Sequence, residues 1–370
     1  MPAPVRPPIP RAIVRTTHVR WATGALLGLT GCGLDLNYYL GLAGGALTSL
    51  ARTRPIELVL ADPRVDEATK SKLRFVLEVR QFGIDEIGLR AGAAYTFFDD
   101  DLAATGGRAV GYSVSGSARE AFVPYTWDFP FVGRVEYKGF LDRAAAERER
   151  DALADAGYDV YLGPIAGFST LGLLADSIRS SQLRSDEIDL ALLILHELTH
   201  GTVYKSSDTL FNETLAQFVG RSAARRFFQM RRNPESEQAA AALRRYGDED
   251  LIDAYLGRLF DDLAAYYALP LSRAEKIAGR QAEFDRVAAT FDAEVRPRLS
   301  DPDRYRRIAD LELNNAVILA AARYRGDLEV YGRLLERVGG DFRAAWPVLR
   351  DAAAQADGFA YLEQWLDATP

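Results

Sequence analysis

Cysteine occurs once in the 370 residues, at position 32, so no disulfide can form within the chain. Histidine occurs three times, at positions 18, 196 and 200. These scarcities exclude whole classes of site, among them the closed, cysteine-rich structural zinc site. Basic residues are outnumbered, 45 against 52, for a net charge of -7. That balance argues against nucleic acid as the main partner, because phosphate binding needs a basic face. The remaining composition, 48% hydrophobic and 26% charged, is that of an ordinary globular chain. The length allows two domains, or one large domain with a helical extension.

Acid is also missing from the first 20 residues, which carry Arg6, Arg11, Arg15 and Arg20. The apolar run that follows, Trp21 to Leu29, is too short for a membrane-spanning helix, which needs about 20 residues. It suits the apolar part of a secretory signal. Its end, Leu29-Thr30-Gly31-Cys32, resembles the bacterial lipoprotein cleavage box, in which the cysteine thiol takes a diacylglyceryl group. A buried structural cysteine is the alternative. The lipoprotein pattern implies a signal peptide over 1–31, lipidation of Cys32, and a location in the bacterial cell envelope, anchored to a lipid bilayer and facing the periplasm or exterior. His18 would then be lost.

Downstream, residues 36–50 read as an apolar first helix. Residues 62–83 follow a helical rhythm through Val65, Leu73, Val76, Leu77 and Phe82. Between 95 and 140 the alternation in AVGYSVSGS and FVGRVEYKGF suggests strands. A helix over 142–156 ended by Gly157, a strand in YDVYLGPI, and helices from Glu187 onward complete the pattern. The expected fold is α+β and mainly helical, with a small β-sheet, an active-site helix of zincin type and a helical C-terminal half. A soft boundary near 232–248 divides a catalytic region, 32–245, from a helical region, 246–370.

The chemistry concentrates in residues 188–204, IDLALLILHELTHGTVY. A helix this apolar buries two imidazoles and a carboxylate at a cost unless something satisfies them. Positions i and i+4 differ by roughly 40° around a helix and about 6 Å along it, so His196 and His200 can share one ion. Glu197 points beside that ion, as the proton acceptor of an HExxH zinc site does. Two core histidines satisfied by hydrogen bonds are the bland alternative.

A catalytic zinc ion takes three protein ligands and leaves one position open. The third cannot come from a later histidine of the same loop, since position 206 is Ser206. Asp208 and Glu213 remain. Asp208 is placed to cap a second helix, and Glu213, facing back, is assigned as the third ligand of one Zn2+. Tyr204 is the first candidate to donate a hydrogen bond to the oxyanion, with Tyr161 and Tyr125 behind it. Gln217 could orient a ligand.

HELTHGTVY with DTLFNETLAQFVG, the Cys32 box with NYYLGLAGGALTSL and RTRPI, TWDFPFVGRVEYKGFLD, and GFSTLGLLADSI together resemble a family of bacterial predicted aminopeptidases, which are zinc-metallopeptidase lipoproteins. The resemblance runs from Cys32 to roughly residue 350. It implies His196, His200 and Glu213 as zinc ligands, Glu197 as catalytic acid/base, and a peptide as substrate. Asn212-Glu213 with Ala216 also looks like the third-ligand segment of larger gluzincin aminopeptidases. Their Gly-x-Met-Glu-Asn strand, which holds the substrate ammonium, has no counterpart here, and their spacer between the second histidine and the third ligand is longer. The residues themselves point to metal-assisted hydrolysis, with an endopeptidase or a lipoprotein scaffold carrying a vestigial metal site as the alternatives.

Overall fold

A computed structural model describes residues 51–102, 111–129, 133–165, 176–231, 235–306, 312–322 and 328–368. His18, Cys32 and the apolar segment 36–50 lie outside the described residues, as does most of GFSTLGLLADSI.

Helix starts follow the capping chemistry of short polar side chains, which satisfy first-turn amides. After β1 (Thr53–Pro55) and α1 (Ile56–Ala61), helix α2 (Glu67–Phe82) opens on Asp66, which accepts from Thr69 N at 2.8 Å. Helix α3 (Arg143–Asp155) opens on Asp142, and α4 (Glu187–His200) on Asp186. Then come α5 (Thr209–Met230), capped by Asp208, and α6 (Glu237–Ala268), capped by Ser236. Ser272 and Glu275 form a reciprocal capping box at the head of α7 (Arg273–Thr290). Helices α8 (Asn315–Ala322), α9 (Leu328–Arg337), α10 (Phe342–Ala353) and α11 (Gly358–Ala368) follow. Helix α6 runs unbroken across residues 245 and 246.

The strands form three small sheets. In the first, β1 pairs antiparallel with β2 (Phe97–Asp99), which pairs parallel with β8 (Ile178–Arg179). In the second, β3 (Gly111–Ser117) lies between β6 (Lys138–Phe140) and β7 (Asp159–Ile165), antiparallel to both. The third is a hairpin, β4 (Trp127–Phe129) with β5 (Gly133–Val135). The arrangement is therefore mostly helical and α+β, as the periodicities indicate, with strands distributed over three sheets.

Two apolar cores hold it together. The larger gathers α2, α4 and α5 with α9, α10 and α11, around Val76, Phe82, Leu195, Phe211, Phe227 and Trp346. The smaller joins the end of α6 to α7 and α8 through Tyr255, Leu263, Phe284 and Ile318. Polar groups tie this second core to the β3 sheet. Arg280 of α7 donates to both oxygens of Asp159 on β7, at 2.5 and 2.9 Å. Asn315 N adds a bond to Asp159 at 3.0 Å, while Tyr267 donates to the Asn315 side chain at 2.7 Å. Arg280 and Asp159 are both buried.

Truncating one partner of such a pair strands the other charge in the interior. Arg280→Met is expected to lower stability by about 2–4 kcal/mol, less than a full orphaning because Arg119 and Asn315 still face Asp159. Urea unfolding of the variant decides it; a midpoint within error of wild type would show that the link is structurally idle.

Candidate metal centre

Helices α4 and α5 pack side by side, and a glycine sets how closely. A Cβ on Gly220 of α5 would stand 3.1 Å from both Cβ and N of His196 and 3.2 Å from its Cα. The backbone of α5 therefore rests directly on the α4 turn that bears His196. From the far side, Gly83 leaves room for Leu195, whose Cδ2 would lie 3.1 Å from an added Cβ.

The segment between the helices reverses the chain and turns Glu213 back toward the histidines. Thr202 and Val203 N–H both donate to Thr199 O, at 2.9 and 3.0 Å. Asn212 holds the loop at its middle, accepting from Lys205 N at 2.8 Å and donating to Lys205 O at 2.7 Å. The Lys205 ammonium anchors the loop to the carbonyls of Gln355 and Ala356. Asp208 caps α5, accepting from Phe211 N at 3.0 Å, and so serves as the cap that its position in the sequence indicates. Ser207 adopts φ 61°, in the left-handed region that side chains rarely enter. Its Oγ accepts from Arg134 N at 3.0 Å, which docks the β4–β5 hairpin onto the loop.

Three donor atoms converge as a result. His196 Nε2 and His200 Nε2 lie 3.2 Å apart, and Glu213 Oε2 lies 3.4 Å from the first and 3.8 Å from the second. The imidazole planes cross at 83°. A tetrahedron with metal–ligand bonds of about 2.0–2.2 Å has edges of roughly 3.3–3.6 Å. The three separations match a face of such a tetrahedron closely, and two nitrogens with one carboxylate oxygen suit a divalent cation. The His196, His200 and Glu213 cluster can hold a metal ion.

Burial and mutual charge set the protonation of the cluster. Burial opposes protonation of His196, but the Glu213 hydrogen bond, the Glu213 and Glu197 charges and a hydrogen bond with Gln217 outweigh it and raise its pKa. His200 is lowered to about 4, first by burial, with Glu213 opposing and His196 reinforcing. Its Nδ1 is buried without a hydrogen-bond partner among the described residues. Burial pushes the Glu197 carboxyl up to about 7; His196 opposes, while Glu213 and Asp176 add to the rise. The Tyr204 phenol is half-buried, raised by burial and by the Glu213 charge, which places it in electrostatic reach of the cluster.

The other two tyrosines lie elsewhere. Tyr125 packs edge-on against Trp127 and Tyr158 and sits over Gly116 of β3. Tyr161 pairs with Ser115 across β3 and β7 and folds its ring over Gly163. Gln217 meets His196, one turn beyond Glu213. Sequence reasoning overlooked Gly220, for which a glycine inside an otherwise regular helix was the available signal.

A comparison with known families finds that the model of a family described as "Putative aminopeptidase" matches residues 37–357. No curated protein and no solved structure gives a match.

Two outcomes follow from this geometry. Gly220→Val is expected to force α5 away from His196 and weaken binding of a divalent cation by the cluster at least ~10-fold in calorimetric titration, an effect of the size seen when the support of a ligand is removed. Unchanged affinity would show that the helix crossing does not set the donor positions. In the metal-free protein, a carboxyl raised from its ordinary 4.5 to about 7 keeps its proton while the unfolded chain has lost it. Its contribution to stability therefore falls as pH rises through that window. Glu197→Gln should match wild type near pH 4.5 and exceed it by about 1–3 kcal/mol at pH 8; a gain independent of pH would contradict this.

Proposed function

Since the chain belongs to the family described as "Putative aminopeptidase", we propose that it is a zinc-dependent peptidase whose ligands are His196, His200 and Glu213. The observation that carries this reading is the approach of their three donor atoms to within 3.2–3.8 Å of one another. A zinc ion bound there supplies a Lewis acid that polarises the scissile carbonyl and makes water a nucleophile near neutral pH.

The chain's own groups do the rest. Glu197 follows His196 on α4 but stands apart from the three-atom cluster. Among the described residues no lysine or arginine charge is found acting on its carboxyl, which burial pushes up to about 7. That is the range in which one carboxyl can accept a proton from the attacking water and return it to the leaving amine. Tyr204, within reach of Glu213, is proposed to donate to the oxyanion that forms at the former carbonyl. Gln217 bonds to His196 and fixes the orientation of that ring, as the outer partners of metal-binding histidines do. Among the described residues the two histidines are joined by Glu213, the carboxylate that completes the set.

We place the enzyme in the cell envelope, held to a bilayer through an acyl chain on Cys32. This part rests on the Leu29–Cys32 pattern alone. Among the described residues no helix is long and apolar enough to cross a membrane.

The test is metal content and turnover measured on the same preparations. Wild type should carry one zinc per chain and hydrolyse amino-acid amides, with activity lost to a chelator and restored by zinc. His196→Ala, His200→Ala and Glu213→Ala should lose the metal. Glu197→Gln should keep it while kcat falls by about 100- to 10,000-fold. A wild-type protein that takes up no divalent metal would end this reading.

A further inference from the structure

In β8 the side chain of Ile178 enters the larger core, so that of the next residue, Arg179, leaves from the opposite face of the strand. There it stands level with Asp99, its partner in the parallel pairing of β2 with β8. Arg179 is half-buried.

Asp99 and Asp101 are the carboxylates whose charges act on Arg179, yet neither is bonded to it. Both oxygens of Asp99 are taken by Arg52, at 2.9 and 3.1 Å. Those of Asp101 accept from Ser180 Oγ at 2.9 Å, Ser181 N at 2.8 Å and Ser181 Oγ at 2.6 Å. The backbone N–H of Arg179 donates to Gln182 Oε1 at 2.9 Å. Its guanidinium, by contrast, makes no hydrogen bond and no ion pair among the described residues. A sheltered fork of N–H donors left without acceptors costs free energy that a bound anion would return. Burial is the largest influence on this group and lowers its pKa, against the pull of both aspartates.

Tyr95 relates this arginine to the metal centre. Its N–H donates to Asp176 O at 2.6 Å, which ties it to the chain just ahead of β8. Arg80 of α2 steadies the segment before it, donating to the carbonyls of Ala94 at 2.8 Å and Gly92 at 2.6 Å. Held in this way, Tyr95 takes φ 60°, a conformation that persists only where the surroundings over-determine it. Its phenol lies in reach of the charges of both Glu197 and Arg179. Glu197 itself is reached by His196, Glu213 and Asp176, and Arg179 is not among them. The guanidinium is thus set back from Glu197, where a remote part of a substrate would lie rather than the bond being broken.

We propose that Arg179 is the subsite for a carboxylate of the peptide substrate, which it binds through paired N–H···O contacts away from the scissile bond. The proposal rests on the peptidase reading and deepens it by naming a substrate class, peptides that present an anion to this side of the centre. The guanidinium fork matches the two oxygens of a carboxylate. In a peptide those oxygens come from an aspartate or glutamate side chain or from the C terminus.

The experiment separates the two sources. Leucyl-alanine, glutamyl-alanine and alanyl-glutamate, each with a free or an amidated C terminus, are given to zinc-loaded wild type, Arg179→Gln and Arg179→Lys. Glutarate, with glutaramide as the neutral control, is titrated calorimetrically into the same proteins. Wild type should favour the carboxylate over its neutral counterpart by on the order of 10- to 100-fold in kcat/KM, as expected for a sheltered charge pair. A preference that follows the side chain assigns acidic residues, and one that follows the terminus assigns very short peptides. Arg179→Gln should abolish the preference and weaken glutarate binding several-fold. Arg179→Lys keeps the charge without the fork and should retain the preference in weakened form, which decides the matter if the glutamine variant does not fold. Wild type that treats carboxylates and their amides alike, or Arg179→Gln that keeps both the preference and the glutarate affinity, would overturn the subsite while leaving the peptidase reading intact. Absence of bound metal would strike the peptidase reading instead, and the glutarate titration would still decide the subsite.

Discussion

Everything at the candidate centre depends on how closely two helices approach. The α4 turn carrying His196 lies against α5 at Gly220, where an added Cβ would come within 3.1 Å of His196 backbone and side chain. Because α4 is rigid, this one approach fixes the distance from both histidines to Glu213. Two imidazoles four residues apart are brought together by helix geometry alone. The carboxylate is not, since it belongs to a different element and its distance from the histidines depends on the helix crossing. A glycine in mid-helix is destabilising by about 1 kcal/mol relative to alanine, so its presence at this contact makes sense as the cost of proximity.

The loop between the helices shows how the approach is maintained. It is only eight residues long, Gly201 to Asp208, and buried polar groups hold it at each stage: Thr202 to Arg90, Lys205 to the carbonyls before α11, Asn212 across its middle, Asp208 at its end. Each of these satisfies a backbone group that would otherwise be buried at a penalty. Ser207 and Gly133, both left-handed, meet where the hairpin docks. The loop is thus strained at one point and over-determined at several, the combination that lets strain persist.

The pattern of what could be read from the sequence follows from this division. His196, His200 and the Asp208 cap are consequences of local geometry, and the sequence displays them. Glu213 was within reach because the next helix begins soon after and its phase is set by the cap. Element types were legible for the same reason, from the 3.6-residue rhythm of residues 67–82 to the alternation of 111–117. By contrast Gly220 matters through a crossing between helices, and Asp176 reaches Tyr95 through a parallel pairing of β2 with β8 that joins residues about 80 apart. Nothing local signals such a pairing. Tyr125 and Tyr161 were attractive as aromatic candidates, but their rings are taken up by Trp127, Tyr158 and the glycines of β3 and β7.

The burial of so many ionisable groups in one place also has a thermodynamic logic. Burial holds the His200 ring below its ordinary pKa, with an Nδ1 that has no partner among the described residues, and holds the Glu197 carboxyl above its own, both costly in a sheltered site. Leu195, Leu215, Val219 and Ala223 of α4 and α5 belong to the larger apolar core, which supplies the stability against which that polar burial is set. A cation that binds only the folded chain returns part of the penalty through mass action. The same imbalance favours a divalent cation at His196, His200 and Glu213, the cluster that can hold one.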